Sequence, residues 1–147
     1  MLVPPEVSRA QGRHAWALVM DDDGLEVRAS FSHPRGGGLI LLGDFRDYPA
    51  LPPIWRFVDA DGGSPLPVWP SAGAIPGFSS IFIIAGNQPI ICAHFSRLAY
   101  GEHGGPHGDW GGATRWRDIQ QGARAETLGD MLAVIARHVA ASPGRMG

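Results

Sequence analysis

The residue with the most reactive side chain occurs once: Cys92, in the run Ile90-Ile91-Cys92-Ala93-His94. A thiol between apolar neighbours is ordinarily a buried, inert small hydrophobe. Three histidines lie close after it, His94, His103 and His107, the last two in a glycine-rich stretch that also holds Asp109. Imidazole titrates near neutrality, so one of them could act as general base to a nucleophile. His94 ranks first because it is nearest, and on a shared strand it would face the same side as Cys92. A second chemistry is zinc held by these histidines with Cys92 or Asp109. Neither Cys-x-His nor His-x-x-x-His in such a loop is a specific metal signature, so no bound metal or cofactor is expected. The plainer reading of each is a loop histidine facing water. Asn87, in Gly86-Asn87-Gln88, has an amide that could donate to an oxyanion; it also suits the left-handed backbone of a turn. Arg97 and Tyr100 could line the same cleft, or be a surface ion pair and a packing aromatic.

These residues need a scaffold. Residues 14–20 form an apolar run of strand length, and Asp21-Asp22-Asp23-Gly24 makes a turn. Residues 25–31 alternate, with Leu25, Val27, Ala29 and Phe31 on one face and Glu26, Arg28 and Ser30 on the other, the mark of a half-buried strand. A turn at 33–37 leads to a short strand at 39–42 that runs on to Phe45. Pro49, Pro52 and Pro53 exclude regular pairing before a fourth strand at 54–58. This pattern predicts an antiparallel meander. A loop over 59–77, apolar runs at 81–85 and 89–93, and a second loop over 99–113 follow. Helical spacing is clearest near the end, where Leu128, Met131, Leu132, Ile135 and Val139 share a face. Thr127 is placed to cap that helix, Asp130 lies in its first turn, Arg137 and His138 lie near its end, and Ser142-Pro143-Gly144 stops it. Residues before Gly12 could form a short helix after Pro4-Pro5. Strands first and helices later imply an α+β domain.

Composition narrows the classes. The 147 residues suit one domain, 1–147, with 44% hydrophobic and 18% charged residues, a globular balance. A net charge of -2 without a basic cluster argues against nucleic acid or an anionic membrane as partner. One cysteine permits no intrachain disulfide and suits a reducing compartment. No signal peptide or membrane span is read, so a cytoplasmic location is expected. Asp21 to Asp23 read as a solvated turn, since the rest of a calcium loop is missing. The five tryptophans, Trp16, Trp55, Trp69, Trp110 and Trp116, read as core or loop anchors.

One segment carries a family pattern. Residues 37–57 run from Gly37-Gly38 through the apolar Leu39-Ile40-Leu41-Leu42 to Tyr48-Pro49-Ala50-Leu51-Pro52-Pro53 and a strand ending in Phe57. This resembles the centre of ubiquitin-conjugating enzymes, in which Tyr-Pro, two residues and Pro-Pro form a rigid corner between two strands. Each proline fixes its own φ and restricts the residue before it. Ile90-Ile91-Cys92 is similar to the family's approach to its catalytic cysteine, Asp109-Trp110 to the tryptophan beyond it, and residues 127–139 to the helix after that. The resemblance departs in two places: insertions fall within 59–78 and 100–108, and the His-Pro-Asn tripeptide before the cysteine is absent, with Asn87 too close to Cys92 for direct equivalence. These departures suggest a divergent bacterial member. Bacterial ubiquitin-like conjugation operons, some antiviral, encode such proteins beside an activating enzyme, a ubiquitin-like protein and a deubiquitinase-like peptidase.

The resemblance implies a ubiquitin-conjugating enzyme-like fold: a four-stranded meander, an active-site loop region and C-terminal helices. It implies that Cys92 accepts a ubiquitin-like protein from an activating enzyme as a thioester and yields it to a target amine. Both steps are acyl transfer through a tetrahedral oxyanion and need no cofactor. Cys92 is then the nucleophile, with His94, Asn87 and Asp109 as assisting residues, Asp109 to orient or deprotonate the incoming lysine. The alternatives are a binding module that kept the fold without the chemistry, and a small metal-dependent hydrolase built on the histidines.

Overall fold

The computed structural model describes residues 16–21, 23–31, 39–58, 81–85, 88–120, 122 and 124–141. The readings placed on residues before 16, on 33–37, on 59–77, on Gly86 and Asn87 and on 142–144 lie outside these.

The alternation read in the first third becomes a four-stranded antiparallel sheet, β1 (Trp16–Met20), β2 (Glu26–Phe31), β3 (Leu39–Asp44) and β4 (Ile54–Val58), in sequential order. Consecutive strands pair with their neighbours because tight connections favour antiparallel hairpins. Asp21 locks the first hairpin: its carboxylate accepts the backbone N–H groups of Leu25 at 2.8 Å and Glu26 at 3.1 Å. It is a turn residue engaged with backbone.

The register puts Val27, Ala29, Phe31, Leu41, Trp55 and Phe57 on one buried face. Gly43 stands opposite Trp55, and a Cβ there would lie 2.7 Å from the indole ring and 2.9 Å from Phe45. Glycine lets that tryptophan lie flat on the strand. The helix α1 (Leu128–Ala141) covers the core with Leu128, Met131, Leu132, Ile135 and Val139, the same stripe that helical spacing predicts. Truncating one of these to alanine would cost about 2–5 kcal/mol. Thr127 caps α1, its hydroxyl accepting the Asp130 N–H at 3.2 Å. His138, near the end of the helix, is buried and edge-on to Phe82. Burial, with Arg137 beside it, holds its imidazole below the usual value.

A second, two-stranded sheet pairs β5 (Phe82–Ala85) with β6 (Gln88–Ile91). The second apolar run is thus shorter than the 89–93 expected: β6 ends before Cys92, and neither Cys92 nor His94 is in a strand. The glycine-rich region condenses into four 3-10 turns, Arg97–Ala99, Gly101–His103, Gly108–Trp110 and Ala113–Asp118, before α1. The chain is therefore mixed α+β, with a four-stranded antiparallel sheet and one described helix at its C-terminal end. No helix among the described residues is long and apolar enough to cross a membrane.

Candidate active site

The corner between β3 and β4 is the anchor. Tyr48-Pro49 is cis, and the corner's carbonyls are taken up by elements that follow Cys92 in sequence. Arg97 donates its backbone N–H to the Pro53 carbonyl and its Nε–H to the Pro52 carbonyl, both at 3.0 Å, and its Nη1 meets the Asp47 carboxylate at 3.1 Å. Trp116 donates its indole N–H to the Pro49 carbonyl at 3.0 Å, and Tyr48 donates its hydroxyl to the Glu126 carbonyl at 2.6 Å. Prolines fix where those carbonyls point, and an arginine's planar fork can engage several acceptors at once. Arg97 is buried, so it is a tie behind the site and does not line a cleft.

Cys92 leaves β6 with its N–H donated to the Ile81 carbonyl at 2.7 Å. The thiol is half-buried. Its Sγ lies 2.9 Å from Nε2 of His107. On the far side of that ring, Nδ1 is 3.4 Å from the Asp109 carboxylate. The ring lies flat on Trp110, 3.7 Å between centroids and 6° between planes. Trp110 is backed edge-on by Tyr100, a buried ring whose hydroxyl donates to the His94 carbonyl at 2.7 Å. Cys92, His107 and Asp109 thus stand in line, supported by an aromatic stack.

The loop backbone brings His107 there. Its N–H donates to the Ala99 carbonyl at 3.0 Å, Gly105 donates to Tyr100 at 2.9 Å, and Gly101 donates to the His107 carbonyl at 3.3 Å. Gly105 passes so near Leu98 and Ala99 that a Cβ would fall 2.2 Å from the Leu98 carbonyl oxygen. Only glycine permits that approach.

His94, ranked first from its spacing, is elsewhere engaged. Its ring is fully buried against Trp116, with Nδ1 2.8 Å from the Trp116 carbonyl and Nε2 accepting the Ala125 N–H at 2.8 Å. That pair of contacts fixes a neutral ring with the proton on Nδ1. Burial holds its pKa below the ordinary imidazole value. With both nitrogens bound to backbone, neither is left for Cys92, and the imidazole that stands at the thiol is that of His107. His103 pairs with Glu102 at 3.7 Å. Among the described residues no group of three or more His, Cys, Asp or Glu side chains could hold a metal ion, so the zinc alternative has no assembled donor set there. Asn87 lies outside the described residues.

The electrostatics bear on the thiol directly. Burial, aided by the Asp109 charge, pushes the Cys92 pKa up to about 11. At neutral pH the resting group is therefore a thiol, whose Sγ faces Nε2 of His107 while Nδ1 faces the Asp109 carboxylate. A nucleophile with an adjacent ring nitrogen, held by a third group, is the arrangement of acyl-transfer chemistry. The chain matches no family model, no curated protein and no solved structure.

Proposed function

We propose that the chain is a ubiquitin-conjugating enzyme-like acyl carrier. Cys92 takes a ubiquitin-like protein from an activating enzyme as a thioester and passes it to a target amine. The observation that carries this reading is the Cys92–His107 contact of 2.9 Å. It is supported by the corner of Tyr48, Pro49, Pro52 and Pro53, between two paired strands and tied by Arg97 and Trp116 to the segment beyond the cysteine. An ordinary buried cysteine has no such partner.

The test is to mix the protein with its cognate activating enzyme, ATP and ubiquitin-like protein. A reductant-sensitive adduct should form on Cys92, and Cys92→Ser should replace it by a stable ester or give nothing. The same adduct on Cys92→Ala would end the reading. The rival, a docking module without chemistry, is favoured by the thiol's pKa of about 11. It calls for partner binding with no adduct, so the same mixture separates the two.

A further inference from the structure

Thioester exchange onto a cysteine is usually easy when the thiol ionises near neutrality, because the incoming acyl group is already activated. This thiol does not meet that condition. With Cys92 at about 11, only a small fraction would be thiolate at neutral pH without help. Help stands within hydrogen-bond range. His107 Nε2 faces Sγ, Asp109 faces Nδ1, and Trp110 fixes the ring plane. His107 is partly exposed, at 29%, and Asp109 largely so, at 73%, so the pair sits where an acyl donor and an amine can reach it. The other charged groups on the same loop are Glu102 and His103, paired with each other one turn earlier.

We propose that His107 is the proton relay at Cys92 in both half-reactions, taking the thiol proton in loading and returning a proton to the sulfur in discharge, with Asp109 and Trp110 as its positioning residues. This rests on Cys92 being the acyl carrier. In loading, the thiol proton moves from Sγ to Nε2 as sulfur attacks the donor thioester's carbonyl carbon. The bond to the donor's sulfur then breaks, and the proton passes from Nε2 to that departing thiolate. In discharge, the acceptor ammonium first releases one proton to solvent. The free amine attacks the carbonyl carbon, the bond to Sγ breaks, and the second amine proton passes through Nε2 to Sγ. The thiol and the neutral ring are restored, and one proton has been released overall.

Because the chain has a single cysteine, the base can be tested without any partner protein. The rate of Cys92 alkylation by iodoacetamide, read by intact mass from pH 5.5 to 10, reports the pair. The wild-type protein should react readily at neutral pH with an acid limb in the imidazole range. His107→Gln should lose about 100-fold or more at pH 7.5, the low end of what a general base contributes, and become reactive only as the thiol itself ionises. Asp109→Asn, at an exposed position, should keep its melting temperature. Its acid limb should move to lower pH, the direction that removing a negative charge 3.4 Å from the ring imposes. A His107→Gln protein, folded by thermal melting, that alkylates at the wild-type rate with the wild-type profile overturns the proposal. An unmoved limb in Asp109→Asn removes Asp109 from it. A histidine-dependent profile in a protein that never loads supports His107 as the base and overturns only the conjugating reading.

Discussion

Of the histidines that follow the cysteine, His94 and His107 have opposite fates. His94 is two residues from Cys92, yet its ring is turned into the core and bound by backbone at both nitrogens. His107 is 15 residues away and has a nitrogen against the sulfur. The difference lies in which elements hold the flanking chain. Residues 92–100 are tied down to the proline corner through Arg97, which commits His94 to the interior against Trp116. Residues 101–112 fold back over Ala99 and Tyr100 with Gly105 at the closest approach, which carries His107 onto the thiol. Proximity in sequence selects the structural histidine; proximity in space selects the chemical one.

Short of removing His107 itself, the largest effect expected from disturbing this contrast is at Gly105. Gly105→Ala forces its loop off the Leu98 carbonyl and so displaces His107, and a misplacement of about 1 Å can cost about 100-fold in rate. Single-turnover transfer should fall with the cysteine and histidine both intact. An unchanged rate would mean that the loop's path does not set the His107 position.

His94→Ala should act on stability. It strands the Ala125 N–H and the Trp116 carbonyl, and each buried group left unmatched costs about 1–3 kcal/mol. Thermal melting should fall by several degrees, and denaturant titration should show a lower midpoint. A variant as stable as wild type would place the ring outside the core's accounting.

The smallest effect is a pH dependence. His94 and His138 both have folded-state pKa values below the ordinary 6.5, mainly through burial. A base whose pKa is depressed by folding binds more protons when unfolded. Its contribution is therefore fully present above about 6.5 and is lost as pH falls below that value toward the folded pKa. Melting temperature should drop between pH 7.5 and 5.5, less steeply in His94→Ala. A flat profile in the wild-type protein would contradict the burial of both rings.

The scaffold was largely legible in the sequence. Period-two alternation at Val27, Ala29 and Phe31 is a local signal, as is the helical spacing from Leu128 to Val139, and both emerged with the expected buried faces, except that Leu25, expected on the same face, lies before β2 and is 40% exposed. The end of β6 was less so, because a run of apolar residues does not mark where pairing stops. Of the residues grouped at the candidate site, spacing singles out Cys92 and Asp109, the latter for a lysine and not for the histidine it faces. His94 owes its burial to carbonyl and amide groups 22 and 31 residues away, and no spacing rule reaches that far. His107 was noted only as one of three loop histidines. The signal that could have raised it is Gly104-Gly105 just before Pro106-His107, a place where backbone can approach backbone, followed by an aspartate and a tryptophan.

The most direct measurement is single-turnover loading of Cys92 in His107→Ala and His94→Ala side by side, each rate divided by the folded fraction. His107→Ala should lose about 100- to 10,000-fold, while His94→Ala should stay near the wild-type rate despite its lower melting temperature. Equal losses in the two variants, or a greater loss in His94→Ala, would contradict the division between a structural and a chemical histidine.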